Sequence, residues 1–133
     1  MNGDRVLYLD SSAIVKLVVG EPETVALKDC LAGAATLVSS ALARTEVLRA
    51  VLAGGTKTQR VAELTLARLE LLRIDDRILQ IAGELLPTGL RSLDAIHLAS
   101  ALAFGESLAE VVCYDLRLSE AAKAAGLSTI APR

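Results

Sequence analysis

The sequence predicts an α/β fold, a parallel sheet wrapped in helices, and three observations carry that prediction. Short apolar, β-prone runs alternate with longer segments of helical length and pattern, the signature of strands joined by helical crossovers. The strand-like runs are apolar on consecutive positions rather than alternating, as expected of strands buried on both faces. Apolar residues make up 53 % of the chain, with no Trp, one Phe and two Tyr, so the core has to be built from Leu, Val, Ile and Ala. A chain of 133 residues is expected to form one domain over 1–133, long enough to bury a proper core.

Val6-Leu7-Tyr8-Leu9 reads as the first strand, and Asp10 interrupts it abruptly. Ser11 and Ser12 suit a helix N-cap, and an apolar-rich helical run follows from Ala13 to Val19. Pro22 opens a second helix from Glu23 to about Leu31, which Gly33 ends. Ala35 to Val38 is the second strand, with Ser39 and Ser40 as cap candidates for a helix from Ala41 to Ala53. Gly54-Gly55 closes that helix, and Thr56 or Thr58 caps the next, which runs to Leu71. A third strand is expected at Leu71 to Ile74 and a helix from Asp75 to Leu86, stopped by Pro87 and Gly89. Ser92 is the expected cap of a helix from Leu93 to about Phe104. Val111 to Tyr114 is the fourth strand, Leu116 to Ala125 a helix, and Ser128 to Ile130 a last edge strand. No repeat, low-complexity tract or dividing linker is visible.

The net charge of −2 provides no basic footprint, so phosphates would have to be met by local arginines or by bound cations. The scarcity of aromatics argues against a base-stacking platform for single strands. Cys30 and Cys113 lie far apart and the chain has one His, which argues against zinc and suits two buried free thiols in a reducing cytoplasm. No apolar run approaches bilayer length, and Asp4 and Asp10 stand where a signal peptide would be uncharged. A cytoplasmic protein is expected.

Four acids each break an apolar context. Asp10 and Asp115 follow strands, and the carboxyl ends of parallel strands share one edge, where ligands of open α/β sheets bind. Asp94 falls in the first turn of a helix that starts at that edge, and Glu46 lies among small apolar neighbours on its own helix. Each has an ordinary explanation: Asp10 and Asp115 as caps, Asp94 as a partner of the helix dipole, Glu46 paired with Arg49. Taken together they repel, so some must protonate or a multivalent cation must hold them ionised. An oxygen-only set favours Mg²⁺ or Mn²⁺, which can polarise a phosphoryl oxygen and activate water.

The segments LDSSAIVKL, ARTEVLRA, LRSLDAIHLASAL and VVCYDLRLSEAAKAAGL, in this order and spacing, resemble PIN-domain ribonucleases of the VapC toxin type. The resemblance covers nearly the whole chain. It implies a three-layer α/β/α sandwich on a mostly parallel sheet of four to five strands. It also implies endonucleolytic, Mg²⁺- or Mn²⁺-dependent cleavage of RNA, a homodimer, and inhibition by a cognate VapB-type antitoxin. The helices from Ala41 to about Leu71 correspond to the dimer and antitoxin region. Asp10, Glu46, Asp94 and Asp115 match the acidic metal-site residues, and Ser12 matches the hydroxyl of the Asp-x-Ser opening. The first, third and fourth acids are then expected to hold the ion, with Glu46 binding through water or helping to deprotonate the attacking water. The chain departs from the pattern at Tyr114, where a Thr or Ser is usual, and at Leu116 to Leu118, where some members carry a further acid. That departure leaves one ion or two equally open.

Lys16, Arg44, Arg49, Arg91 and Arg117 flank the acids and are candidates for RNA backbone contacts, beside their ordinary reading as solvated charge. His97, between Ile96 and Leu98, reads as a packed or capping histidine rather than a general base. Two other functions are compatible with the residues. One is phosphoryl transfer through Asp10 as nucleophile, although Ser12 stands where that chemistry usually wants a second Asp. The other is a non-catalytic interaction module with a vestigial acid cluster.

Overall fold

The structure, a computed structural model, describes residues 5–34 and 36–133. Five strands form one sheet: β1 (Val6–Leu9), β2 (Thr36–Ser40), β3 (Glu70–Leu72), β4 (Leu108–Val112) and β5 (Thr129–Ile130). Their order is β3-β2-β1-β4-β5 and every pairing is parallel, as the alternating pattern requires. The helices are α1 (Ser11–Val18), α2 (Thr24–Leu31), α3 (Leu42–Val51), α4 (Gly55–Ala67), α5 (Asp76–Glu84), α6 (Ser92–Leu102) and α7 (Leu116–Ala124).

The strand period of two assigns β1 to both layers. Leu7 and Leu9 point to one face, where they meet Ala13 and Ile14 of α1, Leu27 of α2, Val47 of α3 and Leu66 of α4. Tyr8 points to the other face, among Leu98 and Ala101 of α6 and Leu118, Ala121 and Ala122 of α7. The result is the expected three-layer sandwich. β1 is its pivot: the chain proceeds outward to β2 and β3, then returns to place β4 on the opposite side of β1. A reversal of this kind opens a crevice at the carboxyl ends of β1 and β4.

Several boundaries differ from the sequence expectation. The predicted start of the second strand at Ala35 lies outside the described residues, and β2 continues through Ser39 and Ser40. Ser39 is no cap: its buried hydroxyl donates to the Leu9 carbonyl across to β1 (2.6 Å), so the strand carries a polar side chain at no cost in lost hydrogen bonding. Ser40 does accept from the Leu42 N–H (3.1 Å). β3 and β4 each begin earlier than predicted and end earlier, at Leu72 and Val112. The apolar runs there extend past the hydrogen-bonded ladder into the turns that follow. Neither Thr56 nor Thr58 caps α4, which starts at Gly55, where φ is +88° and a side chain would be strained. Arg91, not Ser92, occupies the N-cap of α6, and its side chain makes no capping bond. Cys30 is half-buried rather than buried, and Cys113 is buried; neither is in a disulfide. α7 ends as its sequence suggests, with Gly126 at φ +95°, its N–H bonded to the Lys123 carbonyl and the Leu127 N–H to that of Ala122.

Candidate active site

Asp10 leaves β1 in extended backbone and becomes the N-cap of α1, its Oδ1 accepting from the Ala13 N–H (3.0 Å). The cap is thus the aspartate itself, and the two serines are the first helical residues. Ser12 Oγ donates back to the Asp10 carboxylate (2.7 and 2.9 Å), and the Cys113 thiol donates to Oδ2 (3.2 Å). Asp10 is 3 % exposed. Burial raises its pKa, and the bonds from Ser12, Ala13 and Cys113, with the charge of His97, only partly offset that rise. Burial and the nearby Asp10 charge also push the Cys113 thiol upward, so it stays a proton donor.

Asp115 is the matching cap of α7, its Oδ1 accepting from the Leu118 N–H (3.1 Å) after the chain leaves β4. Asp94 stands in the first turn of α6, half-buried. Its pKa is raised first by burial and then by Asp115, with Glu46 and Asp10 adding to the rise against the lowering effect of His97. Asp94 therefore feels the other three acids, although they come from positions 10, 46 and 115. The ordinary explanations of Asp10 and Asp115 as caps are correct.

Glu46 pairs not with Arg49 but with His97, whose Nε2 lies 2.6 Å from Oε1. Ser11 Oγ donates to the same oxygen (2.6 Å). Burial works to raise the Glu46 pKa, but the His97 and Ser11 bonds and the charge of His97 outweigh it and leave it lowered. His97 is packed in the interior and is no cap, and both its ring nitrogens are hydrogen-bonded. It is 3 % exposed, bonded through Nδ1 to the Tyr8 hydroxyl (2.7 Å) and through Nε2 to Glu46. Sequence reasoning missed this wiring together with Tyr8, Ser11 and Cys113. Its signal was present in the three-residue spacing of Asp94 and His97, which places both on one side of α6, and in the lone polar residue of β1.

Among the described residues, no three His, Cys, Asp or Glu side chains stand together at metal-ligating distance. The oxygen donors nevertheless suit a hard cation of the Mg²⁺ kind, which binds through one or two carboxylates and completes its shell with water and substrate phosphate. Arg91 and Arg117, both exposed, line a concavity of about 360 Å³ together with Asp94 and Asp115. They also border the adjoining, mostly apolar cavity of about 690 Å³ beneath Leu86, Leu90 and Ala121. Arg44 lines a separate depression beside Leu48 and Glu63, and Arg49 is exposed on α3. Lys16 is committed elsewhere: its ammonium is held by Glu21 (2.6 Å) and Glu23 (2.7 Å) and lies over the Tyr114 ring (4.8 Å).

A sequence model of the PIN domain matches residues 7–124, a span that contains all four acids. This chain belongs to the PIN-domain family. Within that family its likeness is to VapC proteins. It is 52 % identical over 126 residues to Ribonuclease VapC46 of Mycobacterium tuberculosis, covering 95 % of this chain and 97 % of the relative. It is 41 % identical over 131 residues to Ribonuclease VapC35 of the same species, covering 96 % and 97 %. Among solved structures, a chain of VapBC2 from Rickettsia felis, bound to a DNA fragment from their promoter, superposes with a TM-score of 0.72. That alignment covers 96 % of this chain and 99 % of the other at 16 % identity, a likeness of PIN fold alone.

Proposed function

We propose that this PIN domain, spanning 1–133, is a toxin endoribonuclease that hydrolyses RNA phosphodiester bonds with acid-bound Mg²⁺ or Mn²⁺ and is inhibited by a cognate VapB-type antitoxin. One observation carries the reading. Asp94, in the first turn of α6, is held above its ordinary pKa first by burial and then by the charges of Asp115, Glu46 and Asp10, which reach it from three other elements. Repelling carboxylates gathered in a crevice favour a multivalent cation. The names and coverage of the VapC relatives support the same substrate class.

Asp10 and Asp94 would hold the ion, with Asp115 completing the set from the exposed rim and Glu46 reached through water. Bound there, the ion would supply charge neutralisation at the scissile phosphate and a water of lowered pKa. The protein's own part is fixed geometry. Ser12 and the Ala13 N–H keep Asp10 in one orientation, and Cys113 donates from behind it. Glu46, kept ionised by His97 and Ser11, would bind the ion through water or help to deprotonate the attacking water. Arg91 and Arg117 flank Asp94 and Asp115 and are the arginines best placed for the RNA backbone. Lys16, engaged by two glutamates, is a weak candidate for that role.

The same reading makes the protein a homodimer and puts it in the cytoplasm. Leu52, Val61 and Leu64 are exposed large apolar residues at and beyond the end of α3, consistent with the α3–α4 region as dimer and antitoxin surface. No helix among the described residues is long and apolar enough to cross a membrane. Against the aspartyl-nucleophile alternative, Ser12 stands where that chemistry usually wants a second Asp, and its hydroxyl donates to the Asp10 carboxylate.

The test is incubation of antitoxin-free protein with total RNA in Mn²⁺ or Mg²⁺, beside Asp94→Asn and an EDTA control. Discrete fragments from the wild type alone, abolished by EDTA, are expected. Absence of cleavage together with absence of divalent-ion binding in calorimetry would replace the nuclease by the interaction module.

A further inference from the structure

Tyr8 has no role in the hydrolytic chemistry as derived above, yet through His97 it is wired directly to Glu46. Tyr8 comes from β1 and is 1 % exposed; His97 comes from α6 and is 3 % exposed. Their rings meet edge to face, with centroids 5.9 Å apart and planes at 84°. The Tyr8 hydroxyl lies 2.7 Å from Nδ1, and Nε2 lies 2.6 Å from Glu46 Oε1 and 3.2 Å from Ser11 Oγ. A carboxylate can only accept, so the short contact to Glu46 requires the proton of that bond to sit on Nε2. The Tyr8 hydroxyl occupies Nδ1 and so orients the ring with Nε2 toward Glu46, as outer-shell partners of functional imidazoles do. Ser11 and His97 both converge on Oε1 of Glu46, and the structure gives Oε2 no protein donor among the described residues.

We infer that His97 and Tyr8 are positioning residues: Tyr8 fixes the ring of His97 through Nδ1, and the Nε2–H of His97 holds Glu46 by Oε1 so that Oε2 is presented to the crevice. The inference rests on the ribonuclease reading, because Glu46 matters to catalysis only there. A bland alternative exists, in which His97 merely satisfies a buried tyrosine hydroxyl. The two differ in what they require of Nε2. Satisfying Tyr8 uses Nδ1 alone, whereas holding Glu46 uses Nε2.

Substitutions separate them. In His97→Asn the amide replaces the ring near Nδ1, within reach of Tyr8 but short of Glu46; in His97→Gln the amide reaches toward the place of Nε2. With Mg²⁺ and a defined RNA, His97→Asn is expected to lower kcat about 10–100-fold while KM stays within about twofold, and His97→Gln to recover most of the loss. The second measurement uses the wild type. As the chain has one histidine, its ring nitrogens give one pair of ¹⁵N resonances, and in EDTA Nε2 is expected to carry a proton. Wild-type kcat in His97→Asn, equal losses in both variants, or a bare Nε2 would each overturn the inference. If His97→Asn does not fold, Tyr8→Phe decides: a several-fold lower kcat at unchanged KM supports it, and wild-type kinetics overturn it. If the wild type itself cleaves no RNA, the ribonuclease reading fails, while the nitrogen resonances still judge the positioning of Glu46.

Discussion

Neutralising Asp10 should stabilise the metal-free protein while abolishing its function. The wild-type carboxylate is 3 % exposed, and its pKa is raised because burial outweighs the donors around it. For an acid, a raised folded-state pKa means that the native state holds the proton more tightly than the unfolded chain. Stability is then fully present below the unfolded value, near pH 4, and is lost as pH rises through the folded value. Asp10→Asn removes that loss. The cap itself changes little, since Asn serves as well as Asp at this position and its carbonyl can still accept from the Ala13 N–H. The Ser12 hydroxyl can rotate to accept from the new amide, and the Cys113 sulfur is a weak acceptor for the other proton. What remains is the relief of a desolvated charge, about 0.5–2 kcal/mol for changes of this class. For a chain of this length that is a Tm rise of roughly 2–10 °C. The assay is thermal unfolding in EDTA at pH 7.5 and again near pH 4, where both proteins are neutral at this site and the advantage should shrink. In Mn²⁺ at 100 times its Kd the wild type gains about 2.7 kcal/mol by mass action, and the variant should not. RNA cleavage by the variant should fall on the order of 100-fold or more. A lower Tm of Asp10→Asn in EDTA at pH 7.5, or an advantage that persists undiminished in acid, would refute the reasoning.

Other consequences follow from the same geometry. Arg91→Ala and Arg117→Ala should each weaken RNA binding without changing which sequence is cut, and each should reduce the salt slope of log K by about one, measured by titration across ionic strengths. Leu98→Ala empties a position that is 1 % exposed on the buried face of α6 and should cost about 2–5 kcal/mol in chemical denaturation. Because α6 carries both Asp94 and His97, activity should fall along with stability in that variant. Lys16→Met should leave the KM for RNA within about twofold, since the ammonium is already engaged by Glu21 and Glu23. Its measurable effect should instead be a lower Tm from loosening the α1–α2 junction.

Much of the molecule was legible in the chain. Alternation of apolar runs with capped helical segments is local information, and it was enough to determine a parallel sheet covered on both faces. Asp10 and Asp115 were recognisable because a carboxylate directly after an apolar strand is both a cap and an occupant of the carboxyl edge. Strand ends were less accurate, because the apolar pattern at Leu72-Arg73-Ile74 and Cys113-Tyr114 outlasts the backbone pairing that defines β3 and β4. What only the tertiary structure decided is which polar group meets which. Glu46 had an apparent partner in Arg49 three residues on, yet it chose His97, 51 residues away, because α3 and α6 converge beside the crevice. Lys16 looked free until the turn after α1 brought Glu21 and Glu23 back onto it. Hydrophobic periodicity is written residue by residue and survives translation into elements. Side-chain pairing across β1, α3 and α6 depends on packing distances that no local pattern encodes.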